Sequence, residues 1–184
     1  MKTVKRAALT VVTALLAAAA TIGVAYAVTG QATTAQRLSV AVTQIAGSPA
    51  VVTCRERWRD VLAPIPGPAR TQMGVRPAVV EVTAATCAHA TSWPTTPASS
   101  WPAGTVLAAG ALAHESAHVA GIRDEAQAEC FALEKIAELL QFDGVAVSTA
   151  VDIQQRYRDE FYSQQTGDYV GSCGSLVFGS GNPR

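Results

Sequence analysis

The sequence predicts an α+β fold: a buried helical hairpin, a small β-sheet, a third helix towards the C-terminus and two disulfides. Three observations predict it. Residues 105–120 are small or apolar almost all round, the pattern of a helix buried on every side, and good helix formers run from Glu125 to Gln141 just beyond. Val75 to Thr83, VRPAVVEVT, is rich in valine and partly alternating, as a strand is. Cys54, Cys87, Cys130 and Cys173 are an even number of cysteines in a chain that opens on an export-type segment, which reads as a disulfide framework.

The chain begins with Lys2, Lys5 and Arg6, an apolar run from Ala7 to Val24, and Ala25-Tyr26-Ala27 as a small-x-small cleavage site. Residues 1–27 are therefore expected to be a secretory signal peptide. The apolar run is also nearly long enough to span a bilayer, so an N-terminal anchor is the alternative and the one membrane contact expected. Either way residues 28–184 are expected to be secreted or extracytoplasmic, as a single monomeric domain with a flexible C-terminal tail. Of the 14 basic residues, 11 lie beyond the signal, against 14 acidic ones, for a net charge near −3. That balance leaves no basic stripe for nucleic acid.

Within the domain, Thr33 to Ala46 fits either a short amphipathic helix or a strand, and Gly47-Ser48-Pro49 ends it. Ala50 to Cys54 reads as a strand, Arg55 to Asp60 as a charged stretch in which Trp58 covers the core edge, and Pro64 to Pro68 as a loop. His89 lies in a polar stretch near Cys87 and is expected at the surface. Thr91 to Gly104 holds three prolines and many Ser and Thr, so it reads as a loop. Its Trp93 and Trp101 either line a substrate pocket or pin the loop to the core. Val147 to Tyr162 forms the third helix, with Ala150, Ile153, Tyr157 and Phe161 on one face, and the Gly- and Ser-rich tail from Gly167 is held through Cys173. The cysteine pairing is expected to be Cys54 with Cys87 and Cys130 with Cys173, which staples each half locally.

The hairpin carries the chemistry. Its first helix contains His114-Glu115-Ser116-Ala117-His118. At 3.6 residues per turn His114 and His118 lie one above the other and converge on a single ion, with Glu115 between them as a general base. A hydrolytic zinc centre takes three protein ligands and leaves a fourth position for water. Three carboxylates follow: Asp124, Glu125 and Glu129. Gly121 offers a helix stop, and Asp124 with Gln127 three residues on forms a capping box for the second helix. A tight turn then sets Glu125 beside His118 and Glu129 beside His114, and Ala128 and Ala132 on the same face let the helices approach.

The stretch resembles the gluzincins, zinc peptidases in which HExxH is followed on a second helix by a Glu ligand. The matching segment here is Asp124-Glu125-Ala126-Gln127-Ala128-Glu129, reached after only six residues from His118. The resemblance implies a zincin-like hairpin, zinc on His114, His118 and Glu125, and Glu129 holding the ring of His114. It further implies a peptide or protein substrate. Val75–Thr83 would be the edge strand that pairs with that substrate. His114-Glu115-x-x-His118-x-x-Gly121-x-x-Asp124 also resembles the small metzincins of secreted actinomycete proteases, which would make Asp124 the third ligand. Methionine occurs only at Met1 and Met73, so the methionine turn of that class has no counterpart downstream of the motif.

The function expected from these residues is an exported zinc metallopeptidase. Two other readings stand beside it: a metal-binding but catalytically weak cell-envelope binding domain, and a disulfide-stapled structural domain with a coincidental motif. Tyr157, Tyr162, Tyr169, Arg123 and His89 are all candidates to stabilise an oxyanion, and nothing in the sequence selects one.

Overall fold

The computed structural model describes residues 33–93, 97–171 and 173, and among these residues the chain forms six α-helices and a three-stranded sheet. The expected signal or anchor segment lies outside the described residues. Among those described, no helix is long and apolar enough to cross a membrane.

Residues 33–46 form helix α1, with Leu38, Ala41, Val42 and Ile45 buried at helical spacing and Val40 turned out. That settles the ambiguous segment, because a strand would put Val40 and Val42 on the same face as Leu38. The strands are β1 (Ala50–Cys54), β2 (Ala69–Gln72) and β3 (Ala78–Val82). Their order is β1-β3-β2, with β1 parallel and β2 antiparallel to β3. The valine-rich strand is therefore central rather than the edge strand expected, and the edges are β1 and β2. No sequence signal marked ARTQ as a strand; it exists because Thr71 and Ala69 pair across to Val80 and Val82.

The two edges of the sheet are treated differently. On β1, the N–H groups of Ala50 and Val52 donate to the hydroxyls of Thr43 and Ser39 on α1, at 3.1 and 2.8 Å. Those hydroxyls cap an edge that would otherwise offer itself for pairing. On β2, the Thr83 N–H donates to Pro68 C=O at 3.0 Å, which fixes the phase of the antiparallel ladder. Alternation along that ladder turns the N–H and C=O of Ala69 and Thr71 away from β3, to the open side.

Helix α2 (Arg57–Leu62) buries none of its residues, and Trp58 is 55% exposed with Arg59 stacked 5.3 Å from its ring, not covering the core. Helix α3 (Ala84–Thr91), unforeseen because its small residues show no amphipathic period, starts where the Thr83 hydroxyl accepts from the Thr86 N–H. His89 on α3 is half-buried against Gly104, and its Nδ1 lies 3.0 Å from the Thr105 hydroxyl. It is a packing residue rather than the surface residue expected. Trp93 and Trp101 are buried and stacked at 6.0 Å, so each serves the core at its own position and neither lines the cleft.

Helices α4 (Ala103–Val119) and α5 (Glu125–Phe142) form the hairpin, and α6 (Val147–Glu160) packs against it through Ala150, Ile153 and Tyr157. Both disulfides pair as expected, Cys54–Cys87 and Cys130–Cys173. Their loops of 33 and 43 residues each constrain the unfolded chain by about 4 kcal/mol on a chain-entropy estimate. Such bonds are compatible with an extracytoplasmic protein.

Candidate metal centre

Every residue of α4 from Thr105 to Ala117 is buried except Leu107. Polar side chains in such a helix must find partners or carry function, and four of them do so in an ordered way. Ser116 returns its hydroxyl to Leu112 C=O at 2.7 Å. The other three are His114, Glu115 and His118.

The turn after α4 fixes the first ring. Gly121 takes φ +95°, Ile122 N–H donates to Ala117 C=O at 3.0 Å, and the reversed chain brings Ile122 C=O within 2.7 Å of His118 Nδ1. A carbonyl can only accept, so Nδ1 carries the proton and Nε2 is left with its lone pair. The second ring is fixed from α5. His114 Nδ1 donates to Glu129 Oε2 at 3.0 Å, which again leaves Nε2 for a ligand.

Glu125 meets both free nitrogens. Its Oε2 lies 3.0 Å from His114 Nε2 and 3.7 Å from His118 Nε2. Those values bracket the edge of a tetrahedron with bonds of about 2.0–2.1 Å, roughly 3.3 Å. His114, His118 and Glu125 are thus a group able to hold a metal ion, their ligand atoms all within 4.8 Å of one another. Asp124 is occupied otherwise: its Oδ1 accepts from Gln127 N–H at 2.9 Å and caps α5. Glu129, only 2% exposed, stands behind His114 rather than beside the ligand atoms.

Glu129 is itself held. Tyr157 on α6 donates its hydroxyl to Glu129 Oε1 at 2.7 Å. The ring reaches that position because α4 carries Gly110 there; a Cβ at 110 would stand 1.9 Å from Tyr157 Cε2. The chain Gly110, Tyr157, Glu129, His114 thus runs from α4 through α6 and α5 and back to α4. The sequence offered Tyr157 as a core residue and as one oxyanion candidate among five. Its commitment to Glu129 becomes visible only once α6 is docked.

The electrostatics follow from burial and from these partners. Burial lowers the proton affinity of His114, but the hydrogen bond and charge of Glu129, with the charges of Glu115 and Glu125, outweigh it and leave its pKa above the ordinary value. Burial raises Glu115 above the usual carboxylate range, with Glu125 adding to it, against lowering by Thr71, His114 and His118. Glu115 is 8% exposed and its Oε2 is buried without a hydrogen-bond partner. A buried carboxylate oxygen with nothing to accept from is the arrangement of a group that awaits a ligand. Burial, then Glu129, push the Tyr157 hydroxyl far up, so it is a neutral donor.

These side chains line a cavity of about 410 Å³ that also takes in the open strand β2, Leu107 and Ala111 of α4, and Tyr169. Thr71 joins strand to helix, its hydroxyl donating to Glu115 C=O at 3.1 Å. Of the oxyanion candidates, Tyr157 is committed to Glu129, Tyr162 donates to Gly171 C=O at 3.0 Å, and His89 lies against the start of α4. Arg123 is not among the lining residues. Tyr169 is, with its ring 5.9 Å from that of His114. The residues present fit a divalent metal with three protein ligands, a partnered ring nitrogen behind each histidine and one unpartnered carboxylate oxygen, Glu115 Oε2, alongside. Comparison with protein-family models, with curated proteins and with solved structures finds no match to this chain.

Proposed function

We propose that the chain is an exported zinc-dependent metallopeptidase. The observation that carries the reading is the convergence of two differently anchored imidazoles and Glu125, with one buried oxygen of Glu115, Oε2, lacking a hydrogen-bond partner beside them. Two nitrogen donors and one carboxylate oxygen are the donor set of a hydrolytic zinc site with an open fourth position. Bound there, zinc supplies Lewis-acid polarisation of a carbonyl and a water acidified towards neutrality.

The chain's own residues do the rest. Glu115, largely buried and with one oxygen free, takes the proton of the attacking water and passes it to the departing amine. Glu129 and Ile122 C=O hold the two rings in a single tautomer throughout. Tyr169, whose ring lies 5.9 Å from that of His114, is assigned as the neutral phenol that donates to oxygen charge developing beside the ligands. The outward N–H and C=O of Ala69 and Thr71 offer pairing to an extended segment, which makes a peptide the substrate class that suits the cleft. Leu107 and Ala111 form an apolar wall for an uncharged side chain.

The test is a mixed peptide library digested by the zinc-loaded protein and read by mass spectrometry, with Glu115→Gln as control. Cleavage by the wild type, and its loss in Glu115→Gln with zinc retained, is the expected outcome. Stoichiometric zinc without cleavage of any peptide would refute the peptidase reading.

A further inference from the structure

The segment after α6 is tied at its two ends, and between them it touches the cavity through the half-buried Gln165 and through Tyr169. Phe161 and Tyr162 pack against the core at one end, and Cys173 is tied to α5 at the other by the Cys130–Cys173 disulfide. From Ser163 to Val170 every residue but Gln165 is exposed. Gly171 runs so close to the first turn of α5 that a Cβ there would lie 2.9 Å from Ala126 Cβ, and its C=O accepts from Tyr162. This short crossing delivers Tyr169 to the cleft. The expected tail held only through Cys173 is thus a strap, and its one aromatic at the site faces the ligands.

The candidate metal centre therefore has two parts of unequal security. His114, His118, Glu115, Glu125 and Glu129 stand on two buried helices and need nothing from the strap. Tyr169 is 45% exposed and stands on a stretch whose burial is too slight to hold it. Near the ligands it adds a donor to a set otherwise made of acceptors and metal-binding nitrogens.

We propose that the Cys130–Cys173 disulfide is an assembly switch for the cleft: oxidised, it holds the strap on α5 with Tyr169 against the metal site; reduced, it releases the strap and leaves the metal ligands in place. The inference rests on the metal reading above. Reduction by a dithiol adds two electrons and two protons across the Cys130–Cys173 bond to give two thiols, while the dithiol closes to its own disulfide. The chain then binds metal in either state but presents a complete cleft only after oxidation, which confines its activity to an oxidising compartment.

The test uses the purified zinc-loaded protein, Cys130→Ser/Cys173→Ser, and Tyr169→Phe with the disulfide intact. Hydrogen exchange of residues 167–171, zinc content and the affinity for acetohydroxamate, a small zinc chelator, are measured on each. The serine pair is expected to keep one zinc per chain, to exchange at least tenfold faster over the strap, and to bind the hydroxamate about tenfold more weakly, the loss of one hydrogen bond to a charged ligand. Tyr169→Phe is expected to show the same loss of affinity with unchanged exchange, and it carries the test if the serine pair does not fold. Zinc bound, with hydroxamate affinity unchanged in both variants, overturns the proposal. So does unchanged strap exchange in the serine pair. Absence of zinc from the wild type refutes the metal reading instead, a result distinct from either of these.

Discussion

Tyr157→Phe isolates the arrangement that orients the candidate metal centre. The substitution keeps the ring in the notch over Gly110 and removes only the hydroxyl that donates to Glu129 Oε1 at 2.7 Å. Glu129 is almost wholly enclosed, so no solvent replaces the lost donor. An orphaned buried acceptor costs about 1–3 kcal/mol of stability. At about 2–4 °C per kcal/mol for a domain of this size, the melting midpoint should fall by roughly 2–12 °C. The functional cost is separate. Glu129 also accepts from His114 Nδ1 at 3.0 Å, and a carboxylate free to turn no longer holds that ring. Loss of an outer partner of a metal-bound histidine costs about 10–100-fold in metal affinity, or about 1.4–2.7 kcal/mol. Competition against a chromophoric zinc chelator measures that loss, and thermal melting followed by circular dichroism measures the stability. A lowered midpoint with zinc affinity within twofold of wild type would refute the reasoning, since Tyr157 would then support packing alone.

Two further substitutions test other parts of the account. Gly110→Ala should displace the Tyr157 ring, at an overpacking cost of about 1–3 kcal/mol that outweighs the helix propensity gained. Its zinc affinity should fall with that of Tyr157→Phe, and the double variant should lose no more than the worse single one; additive losses would show that the two act independently. Asp143, at the end of α5, is buried with Oδ1 unpartnered and Oδ2 3.2 Å from Arg37. Burial raises its pKa from 3.8 to about 6 despite the guanidinium. A raised carboxyl pKa contributes stability that is complete below pH 4 and lost as pH climbs through 6, up to about 3 kcal/mol at 1.36 kcal/mol per unit. Denaturant titrations between pH 4.5 and 8 should show that decline in the wild type and its absence in Asp143→Asn, which should be the more stable of the two at pH 8. Equal pH dependence in the two proteins would contradict the assignment.

The helical hairpin was the most legible part of the fold. Its signals are local: apolar residues on every side of one helix, Gly121 at the turn, and Asp124 as a cap. The approach of Glu129 to His114 follows from that turn and the helical period and is present at 3.0 Å, while Glu125, expected beside His118, lies 3.7 Å from it and 3.0 Å from His114. The disulfide pairing was legible because each bond stays within its half of the chain. Strand β2 was not, because ARTQ is short, carries a single β-branched residue in Thr71 and no large apolar side chain, and becomes a strand only by pairing with β3. Its absence shifted the edge of the sheet by one strand and assigned the open edge to the wrong segment. Helix α3 was hidden by its run of small residues without an amphipathic period, and Trp58 and His89 exchanged their expected environments because each depends on what packs over it. The roles of the tyrosines lay furthest from reach. Tyr157, Tyr162 and Tyr169 sit within thirteen residues, and only tertiary docking sends one to Glu129, one to Gly171 and one to the cleft.

The central claim is that His114, His118 and Glu125 bind one metal ion, and the most direct measurement is zinc content by mass spectrometry of the oxidised protein after dialysis against micromolar free zinc. It is made beside Glu125→Ala and Asp124→Ala. One zinc per chain in the wild type and in Asp124→Ala, lost or weakened at least a hundredfold in Glu125→Ala, is the result expected from three ligands reduced to two. Wild-type protein without zinc, or zinc retained in Glu125→Ala and lost in Asp124→Ala, would contradict the account.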